Sequence, residues 1–159
     1  EIDHSYRYAF SDSKNPKVLS LTRQDLDYLD FDVKYEEFLK GGYVVSDGDD
    51  FTLVASGSEL EIAFKIKAAL LEYSVRIISV PILNKLSNMK NEEINELLKN
   101  KHVFPIELGR SIGWESYLGR ITKTFSIDSF GESAPIEDLE KNFGFDVPTI
   151  TKEIIKYLN

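Results

Sequence analysis

Several chemistries are excluded by what the sequence lacks. There is no cysteine, so disulfide bonds, thiolate nucleophiles, zinc–thiolate sites and iron–sulfur clusters cannot form. The longest apolar runs, Phe51–Ala55 and residues 77–80, have the size of single strands, whereas a membrane-spanning helix needs about 20 apolar residues. The first residues lack the basic and then apolar pattern of a secretory signal. We therefore expect a cytoplasmic protein without a membrane partner.

Positive charge is also in short supply. The 159 residues include 19 Lys and Arg against 27 Asp and Glu, which gives a formal net charge of −8. Nucleic-acid binding needs a basic stripe, and docking on anionic lipid needs a basic cluster. We therefore expect neither partner. His4 and His102 have no second ligand at a suitable spacing, so no metal site is predicted.

The pattern of the chain becomes regular after Gly42. Strand-sized apolar segments alternate there with segments of helical periodicity, which predicts a three-layer α/β/α sandwich with a mostly parallel, five-stranded sheet. A turn signal at residues 47–50 predicts a hairpin, and hence one antiparallel edge strand. The expected strands are 43–46, 51–55, 75–80, 102–108 and 120–127, and the expected helices are 59–73, 82–89, 92–99, 114–118, 135–143 and 149–158.

The residues before Gly42 do not form a unit of their own. Residues 1–10 have helical spacing and residues 17–22 have the composition of a buried strand, whereas residues 23–40 are acidic and aperiodic. One helix and one strand are too little to fold alone. This part must belong to something larger or pack on the main domain.

Two strand-to-helix loops are candidates for anion binding. The turn of Ser56, Gly57, Ser58 and Glu59 opens a helix, where free amides attract anions, but Ser58 with Glu61 also fits a capping box. We favour the capped turn. In the loop of residues 107–114, Arg110 is predicted either to pair with Glu107 or to face a phosphate.

The structural interpretation of that second loop is a glycine-shaped turn anchored by Trp114, and we favour it. In the next loop, Ser133 is expected to cap a helix with Pro135 in its first turn, and Phe130 to fill a gap between layers. Arg23 follows the predicted strand 17–22. A guanidinium there can bind a phosphate through two hydrogen bonds. A salt bridge to the acidic linker explains an arginine at this position equally well.

The motifs, taken in order, resemble the C-terminal part of transketolases. The similar segments are Leu-Ser-Leu-Thr-Arg-Gln at 19–24, Gly-Gly-Tyr-Val at 41–44, Leu-Val-Ala-Ser-Gly-Ser-Glu at 53–59, Val-Arg-Ile-Ile-Ser-Val-Pro at 75–81, Glu-Leu-Gly-Arg-Ser-Ile-Gly-Trp-Glu-Ser-Tyr at 107–117, Ile-Asp-Ser-Phe-Gly-Glu-Ser-Ala-Pro at 127–135 and Phe-Gly-Phe at 143–145. Three residues depart mildly from the family pattern. Ser56 stands in place of Thr, Thr22 in place of Ser, and Asp25 in place of Asn.

The resemblance implies a domain plan and a parent enzyme. Residues 1–30 would be the tail of a pyrimidine-binding domain, residues 31–41 a linker, and residues 42–159 the transketolase C-terminal domain. The parent would use thiamine diphosphate and Mg²⁺ (or Ca²⁺) to move a two-carbon ketol unit from a ketose phosphate to an aldose phosphate in the pentose phosphate pathway. Arg23 would bind the sugar phosphate. No catalytic, cofactor-binding or metal residue of the family falls in this chain.

The leading hypothesis is therefore a C-terminal transketolase fragment that is inactive alone. Its role would be structural, in a homodimer and against the remaining transketolase domains. Two alternatives stay open: a free-standing regulatory module that binds an anion or nucleotide, and the equivalent domain of another thiamine enzyme. The segment of residues 127–135 favours transketolase over the second alternative.

Overall fold

A computed structural model describes residues 1–11 and 14–159, with every side chain there except that of Glu137. No helix in this described part has the length and apolar character needed to cross a bilayer. The helices are α1 (Ile2–Phe10), α2 (Tyr35–Phe38), α3 (Glu59–Ala69), α4 (Asn91–Leu98), α5 (Trp114–Leu118), α6 (Ile136–Asn142) and α7 (Val147–Leu158), with a 3₁₀ helix at Leu83–Asn88. The strands are β1 (Tyr43–Ser46), β2 (Phe51–Ala55), β3 (Val75–Ser79), β4 (His102–Glu107) and β5 (Phe125–Ser126).

One five-stranded sheet organises the chain, in the order β1-β3-β2-β4-β5. Strands β2 to β5 run parallel, and β1 is the antiparallel edge strand. The predicted mostly parallel sheet with one antiparallel edge is confirmed. The predicted β1–β2 hairpin is wrong, because β1 pairs with β3. Both sides of β2 are already occupied by β3 and β4.

The connection from β1 to β2 crosses close to the start of β3. A Cβ atom on Gly48 would lie 2.3 Å from the carbonyl carbon of Val75 and 2.6 Å from the amide nitrogen of Arg76. Only glycine permits this approach of one backbone to another. The turn signal at residues 47–50 therefore marks the place where the β1–β2 connection passes over the start of β3.

Alternation along the strands gives the sheet an apolar surface on each face. Helices α3 and α7 cover one face and α4 and α5 cover the other, which confirms the three layers. We call the buried sets the α3/α7 core and the α4/α5 core. The first comprises Phe51, Leu53, Ala55, Leu60, Ala63, Ile66, Leu70, Val75, Ile77, Phe104, Ile106, Phe125, Phe145, Ile150 and Ile154. The second comprises Val54, Ile78, Val80, Leu86, Ile94, Leu98, Val103, Trp114 and Leu118.

The segment before the sheet differs from the prediction. The helix over residues 1–10 is confirmed as α1, which buries none of its residues. The strand expected over residues 17–22 is absent; these residues have no regular secondary structure, and Val18 is 92% exposed. Among the residues that the structure describes, no strand pairs with this segment, and a strand needs a neighbour. The acidic linker contains the short helix α2.

Two element boundaries also differ. The helix expected to reach Tyr73 ends at Ala69, and the last strand is limited to Phe125–Ser126. Residues before β5 join the start of β4 through one backbone bond, from Thr122 N–H to Val103 O (2.8 Å), and through the Thr122 hydroxyl, which accepts Val103 N–H (3.0 Å). The Thr122 side chain thus takes the place of a backbone acceptor for Val103 N–H, and β5 does not extend back to Thr122.

Candidate functional site

The carboxyl edge of the sheet brings the predicted loops together. Chain progression reverses at β2, because β3 lies on one side of it and β4 on the other. In open α/β sheets, ligands bind in the crevice at such a reversal, outside the carboxyl ends of the strands. Ala55 at the end of β2 is in register with Ile106 of β4. The loop after β2 and the loop after β4 therefore start side by side.

Two glutamates occupy this crevice, and we call Glu59 and Glu107 the carboxyl pair. Glu59, the first residue of α3, is only 8% exposed. Its Oε1 accepts the N–H of Leu108 at 2.9 Å, and its Oε2 accepts the hydroxyl of Ser58 at 2.7 Å. Glu107 ends β4, and its Oε1 accepts the N–H of Gly109, the residue that follows Leu108. Sequence reasoning gave neither residue this role, although Glu107 ends β4 and Glu59 follows the short turn after the neighbouring strand β2.

Burial dominates the electrostatics of Glu107. It raises the pKa of the Glu107 carboxyl above its usual range, and the negative charge of Glu59 adds to the rise. Hydrogen bonds from Gly109 N–H (3.0 Å) and from the Trp114 indole N–H (3.3 Å) act in the opposite direction. The balance of these contributions is a pKa of Glu107 above its usual range.

The turn before α3 is not a capping box. The hydroxyl of Ser58 donates to Glu59 and makes no bond to a helix amide. Glu61 binds Lys65 and accepts the N–H of Asp27 (3.4 Å). The predicted Ser58–Glu61 capping box is therefore wrong. The carboxyl pair beside this turn also opposes a bound anion.

The loop after β4 is anchored as predicted by Trp114, which is buried in the α4/α5 core. Glu107 and Arg110 form no ion pair. Hydrogen bonds from Ser126 and Ser111 lower the pKa of Asp128, and the positive charge of Arg110 lowers it further by a smaller amount. Both the N–H and the hydroxyl of Ser111 reach Asp128 Oδ1 at 3.1 Å.

A cavity of about 350 Å³ lies beside this loop. Its wall is mainly apolar, and Arg110, Glu132 and Glu140 contribute charged groups. The size falls within the range of small-molecule sites. The remaining lining residues are Leu108, Gly109, Ile127, Ser129, Gly131, Ile136, Leu139, Phe143 and Phe145.

The loop over residues 128–135 departs from two predictions. Phe130 is 97% exposed and fills no gap between layers. Helix α6 begins after Pro135, which occupies the position before the first helical residue, and Ser133 makes no capping hydrogen bond. An extended backbone at Pro135 places Ser133 too far upstream to cap.

The structure does not bring the remaining candidates into this crevice. Arg23 is exposed in an irregular segment and is not among the residues that line the cavity. His4 bonds Val33 O through Nε2 (2.8 Å), and His102 stacks on Phe104. Within residues 1–11 and 14–159, no three His, Asp or Glu side chains gather in a way that could hold a metal ion.

The fold and its crevice define an α/β domain with a mostly parallel, five-stranded sheet. The family model described as the transketolase-like TK C-terminal domain matches residues 41–146. The chain is 34% identical to a transketolase of Bacillus subtilis over 171 residues, a match that covers 100% of this chain and 25% of that protein. The chain therefore belongs to the transketolase family, and it carries that family's C-terminal domain.

Solved structures agree with this assignment. A transketolase from Leishmania mexicana matches with a TM-score of 0.82 and 30% identity, over 94% of this chain and 22% of that one. A Pichia stipitis transketolase in complex with xylulose 5-phosphate matches with a TM-score of 0.84 and 25% identity, over 98% of this chain and 23% of that one. The chain thus spans about a quarter of the length of the relatives it matches.

Proposed function

We propose that this chain is the C-terminal part of a transketolase that uses thiamine diphosphate and Mg²⁺ (or Ca²⁺). The whole enzyme moves a two-carbon ketol unit from a ketose phosphate to an aldose phosphate in the pentose phosphate pathway. The observation that carries the proposal is the family match, which extends through α1 and the linker as well as the sheet. The Pichia relative's complex with xylulose 5-phosphate supports a sugar phosphate as substrate.

The role of this chain is structural, and it is inactive without the upstream part. Its described residues do not fit a site for the divalent metal, because no suitable cluster of ligands is present among them. The cofactor, which supplies the carbanion chemistry when bound, and the metal belong to the upstream part of the parent. The parent is a cytoplasmic homodimer.

The exposed apolar side chains before the sheet support docking on that upstream part. Residues 1–30 include Phe10, Val18 and Tyr28, which are at least 84% exposed. Large apolar groups gathered in one segment mark a surface that another polypeptide covers. Residues 17–22 have the composition of a strand and no regular structure of their own, so they are available to join a sheet edge of the upstream part. The domain plan of residues 1–30, 31–41 and 42–159 follows from this role.

A chimera tests the proposal. The chain replaces the matching C-terminal quarter of the Bacillus subtilis transketolase, and ketol transfer from xylulose 5-phosphate to an aldose phosphate is assayed with thiamine diphosphate and Mg²⁺. We expect activity from the chimera and none from the 159-residue chain alone. Ketol transfer by the chain alone, or a folded chimera without activity, would contradict the proposal.

Within the chimera, Arg23 binds the sugar phosphate. The motivating observation is its exposed guanidinium, which forms no ion pair among the described residues and is free to bind a phosphate bidentately. Arg23→Ala should raise KM at least tenfold for phosphorylated sugars and leave KM for unphosphorylated sugars unchanged. Lys101→Ala, which removes an exposed positive charge from the sheet domain, is the matched control. An equal rise for both classes of sugar would rule out the phosphate role.

A further inference from the structure

The cavity of about 350 Å³ has no part in the proposed ketol transfer. It is bordered by the loop after β4, the loop after β5 and helix α6 with its C-terminal end, and neither Arg23 nor the carboxyl pair lines it. Its wall is mainly apolar, and its volume lies at the lower end of the range of small-molecule sites. A ligand held here is therefore a small compound with an apolar body.

Helix α6 turns one face toward the cavity. Four lining residues recur at positions i, i+3, i+4 and i+7 and so share this face: Ile136, Leu139, Glu140 and Phe143. Three of them are apolar, and Glu140 places a carboxylate among them. Glu140 forms no ion pair within the part of the chain that the structure describes, and the nearby cation Lys65 is bound to Glu61 instead. Because a carboxylate on an apolar wall is costly without a partner, a cationic group in the cavity would be stabilised there.

A positive charge enters the wall from the loop after β4. Arg110 lines the cavity and is exposed, and within residues 1–11 and 14–159 it forms no ion pair. The second carboxylate of the wall, Glu132, accepts a hydrogen bond from the side-chain amide of Asn142 (3.3 Å), which is a neutral donor. The wall thus combines one cation and two carboxylates with an apolar surface. A simple anion would be opposed by the carboxylates, and a simple cation would be opposed by Arg110.

We propose that this cavity binds an α-amino acid with a large apolar side chain. The ammonium group of the ligand binds Glu140, its carboxylate binds Arg110, and its side chain packs on the apolar wall. A molecule that carries both charges satisfies both kinds of group, whereas a singly charged one leaves either Arg110 or Glu140 without a partner. The site is separate from Arg23 and does not depend on ketol transfer.

The ring of Phe130 is placed to complete the site. Its sequence neighbours Ser129 and Gly131 both line the cavity, yet the Phe130 ring is 97% exposed. A large aromatic side chain in water gains free energy by packing on an apolar surface, and an apolar ligand provides such a surface. We therefore expect this ring to close over the bound ligand, so that Phe130→Ala weakens binding.

Four probes test the proposal on the 159-residue chain. L-phenylalanine should bind with a Kd of about 1 mM, followed by the methyl NMR signals of Ile127, Ile136 and Leu139. The compound 3-phenylpropionate lacks the ammonium group, phenethylamine lacks the carboxylate, and L-alanine lacks the ring, so each should bind at least about fivefold more weakly. The absence of a saturable shift up to about 20 mM L-phenylalanine, or equal binding of the three aromatic probes, would overturn the proposal.

Variants with one charge removed identify the two partners. In Glu140→Gln, L-phenylalanine and phenethylamine should bind about fivefold more weakly, whereas 3-phenylpropionate should not. In Arg110→Gln, L-phenylalanine and 3-phenylpropionate should weaken instead. Asp138→Asn is the matched control, because it removes an exposed carboxylate from α6 that does not line the cavity. Equal weakening of all the probes in Glu140→Gln would contradict the assigned contact, and the probe series on the wild type decides the proposal if a variant does not fold.

The chimera shows whether the cavity stays open in a whole enzyme. Saturation transfer to the ring protons of L-phenylalanine is measured with the chimera and with its Glu140→Gln form, which corrects for binding elsewhere on the upstream part. We expect transfer in the first and a reduced signal in the second. Binding to the chain but not to a folded chimera would mean that the upstream part covers the cavity, which overturns the proposal. An inactive chimera would contradict the proposed function alone, since the binding measurements need no ketol transfer.

Discussion

Similar apolar residues are mostly buried in the sheet domain and exposed in the segment before it. In residues 42–159, most large apolar side chains are buried in the α3/α7 core and the α4/α5 core, with loop residues such as Leu71 and Phe130 as exceptions. In residues 1–28, Phe10, Val18 and Tyr28 are exposed to solvent. Burial stabilises a protein only where a second surface is available to exclude water. Apolar composition alone therefore does not distinguish a core from a docking surface.

The change from one region to the other is gradual. Leu29 and Phe31 already pack against the α3/α7 core, and the Phe31 ring stacks on Phe64 with the centroids 6.3 Å apart. The start of the chain is held by polar contacts, since the hydroxyls of Tyr43 and Ser79 both donate to the Glu1 carboxylate. Burial and that carboxylate raise the pKa of Tyr43.

The largest contrast is expected between two phenylalanines. Phe104 is fully buried against Phe51, whereas Phe10 is 84% exposed. Phe104→Ala should lower the free energy of unfolding by about 4 kcal/mol, because it leaves a cavity. Phe10→Ala should change it by less than about 0.5 kcal/mol. Urea denaturation followed by circular dichroism measures both, and equal losses would remove the distinction between the two regions.

A smaller effect is expected at the polar attachment of the first residue. Glu1→Ala should cost about 2 kcal/mol, because the hydroxyl groups of Tyr43 and Ser79 lose their shared acceptor. Asp3→Ala is the matched control, since Asp3 is an exposed carboxylate on the same helix. Thermal unfolding of the two variants compares them. A larger loss from the control would show that α1 is attached in another way.

The boundary between the regions can be located with Phe31. Phe31→Ala should cost about 1 kcal/mol, the value typical of one aromatic pair. Tyr28→Ala, three residues earlier and 90% exposed, should be neutral within error. Urea denaturation of both variants decides the matter. If Tyr28→Ala costs as much as Phe31→Ala, the packed region begins earlier in the chain.

The smallest effect in the isolated chain is expected at Val18. Val18→Ser should leave the free energy of unfolding unchanged, because this side chain is already in water. In the chimera with the upstream part of a transketolase, the same change should reduce the yield of assembled enzyme, measured by size-exclusion chromatography. An equally small effect in both proteins would show that residues 17–22 dock on nothing.

Local patterns were sufficient to predict most of the sheet. Strands β2 and β3 are rich in apolar residues and buried along their whole length, as strands covered on both faces of a parallel sheet are. The short helix α5, with Trp114 as its anchor, was also predictable. The failures involve pairing. Residues 17–22 have strand composition but no neighbouring strand, and the pairing of β1 with β3 depends on how β2 is already occupied.

The carboxyl pair shows the same limit at the level of a site. Glu59 and Glu107 are 48 positions apart in sequence by their numbers. They become neighbours only because β2 and β4 are adjacent in the sheet. Both glutamates lie in strand-to-helix loops that the sequence predicts, but the effect of Glu59 on the pKa of Glu107 follows from the strand order. Arg23 keeps its predicted role as a proposal, because its role depends on residues outside this chain.

The place of β1 at the edge of the sheet also bears on the order of folding. Its partner β3 begins only after β2 and α3 have been passed, so β1 cannot find its register until that parallel unit has formed. Pairs with long intervening loops form slowly, because closing the loop costs entropy before any contact compensates for it. We therefore expect β1 to join late, with low φ-values at Tyr43 and Val44 and higher ones in β2, α3 and β3.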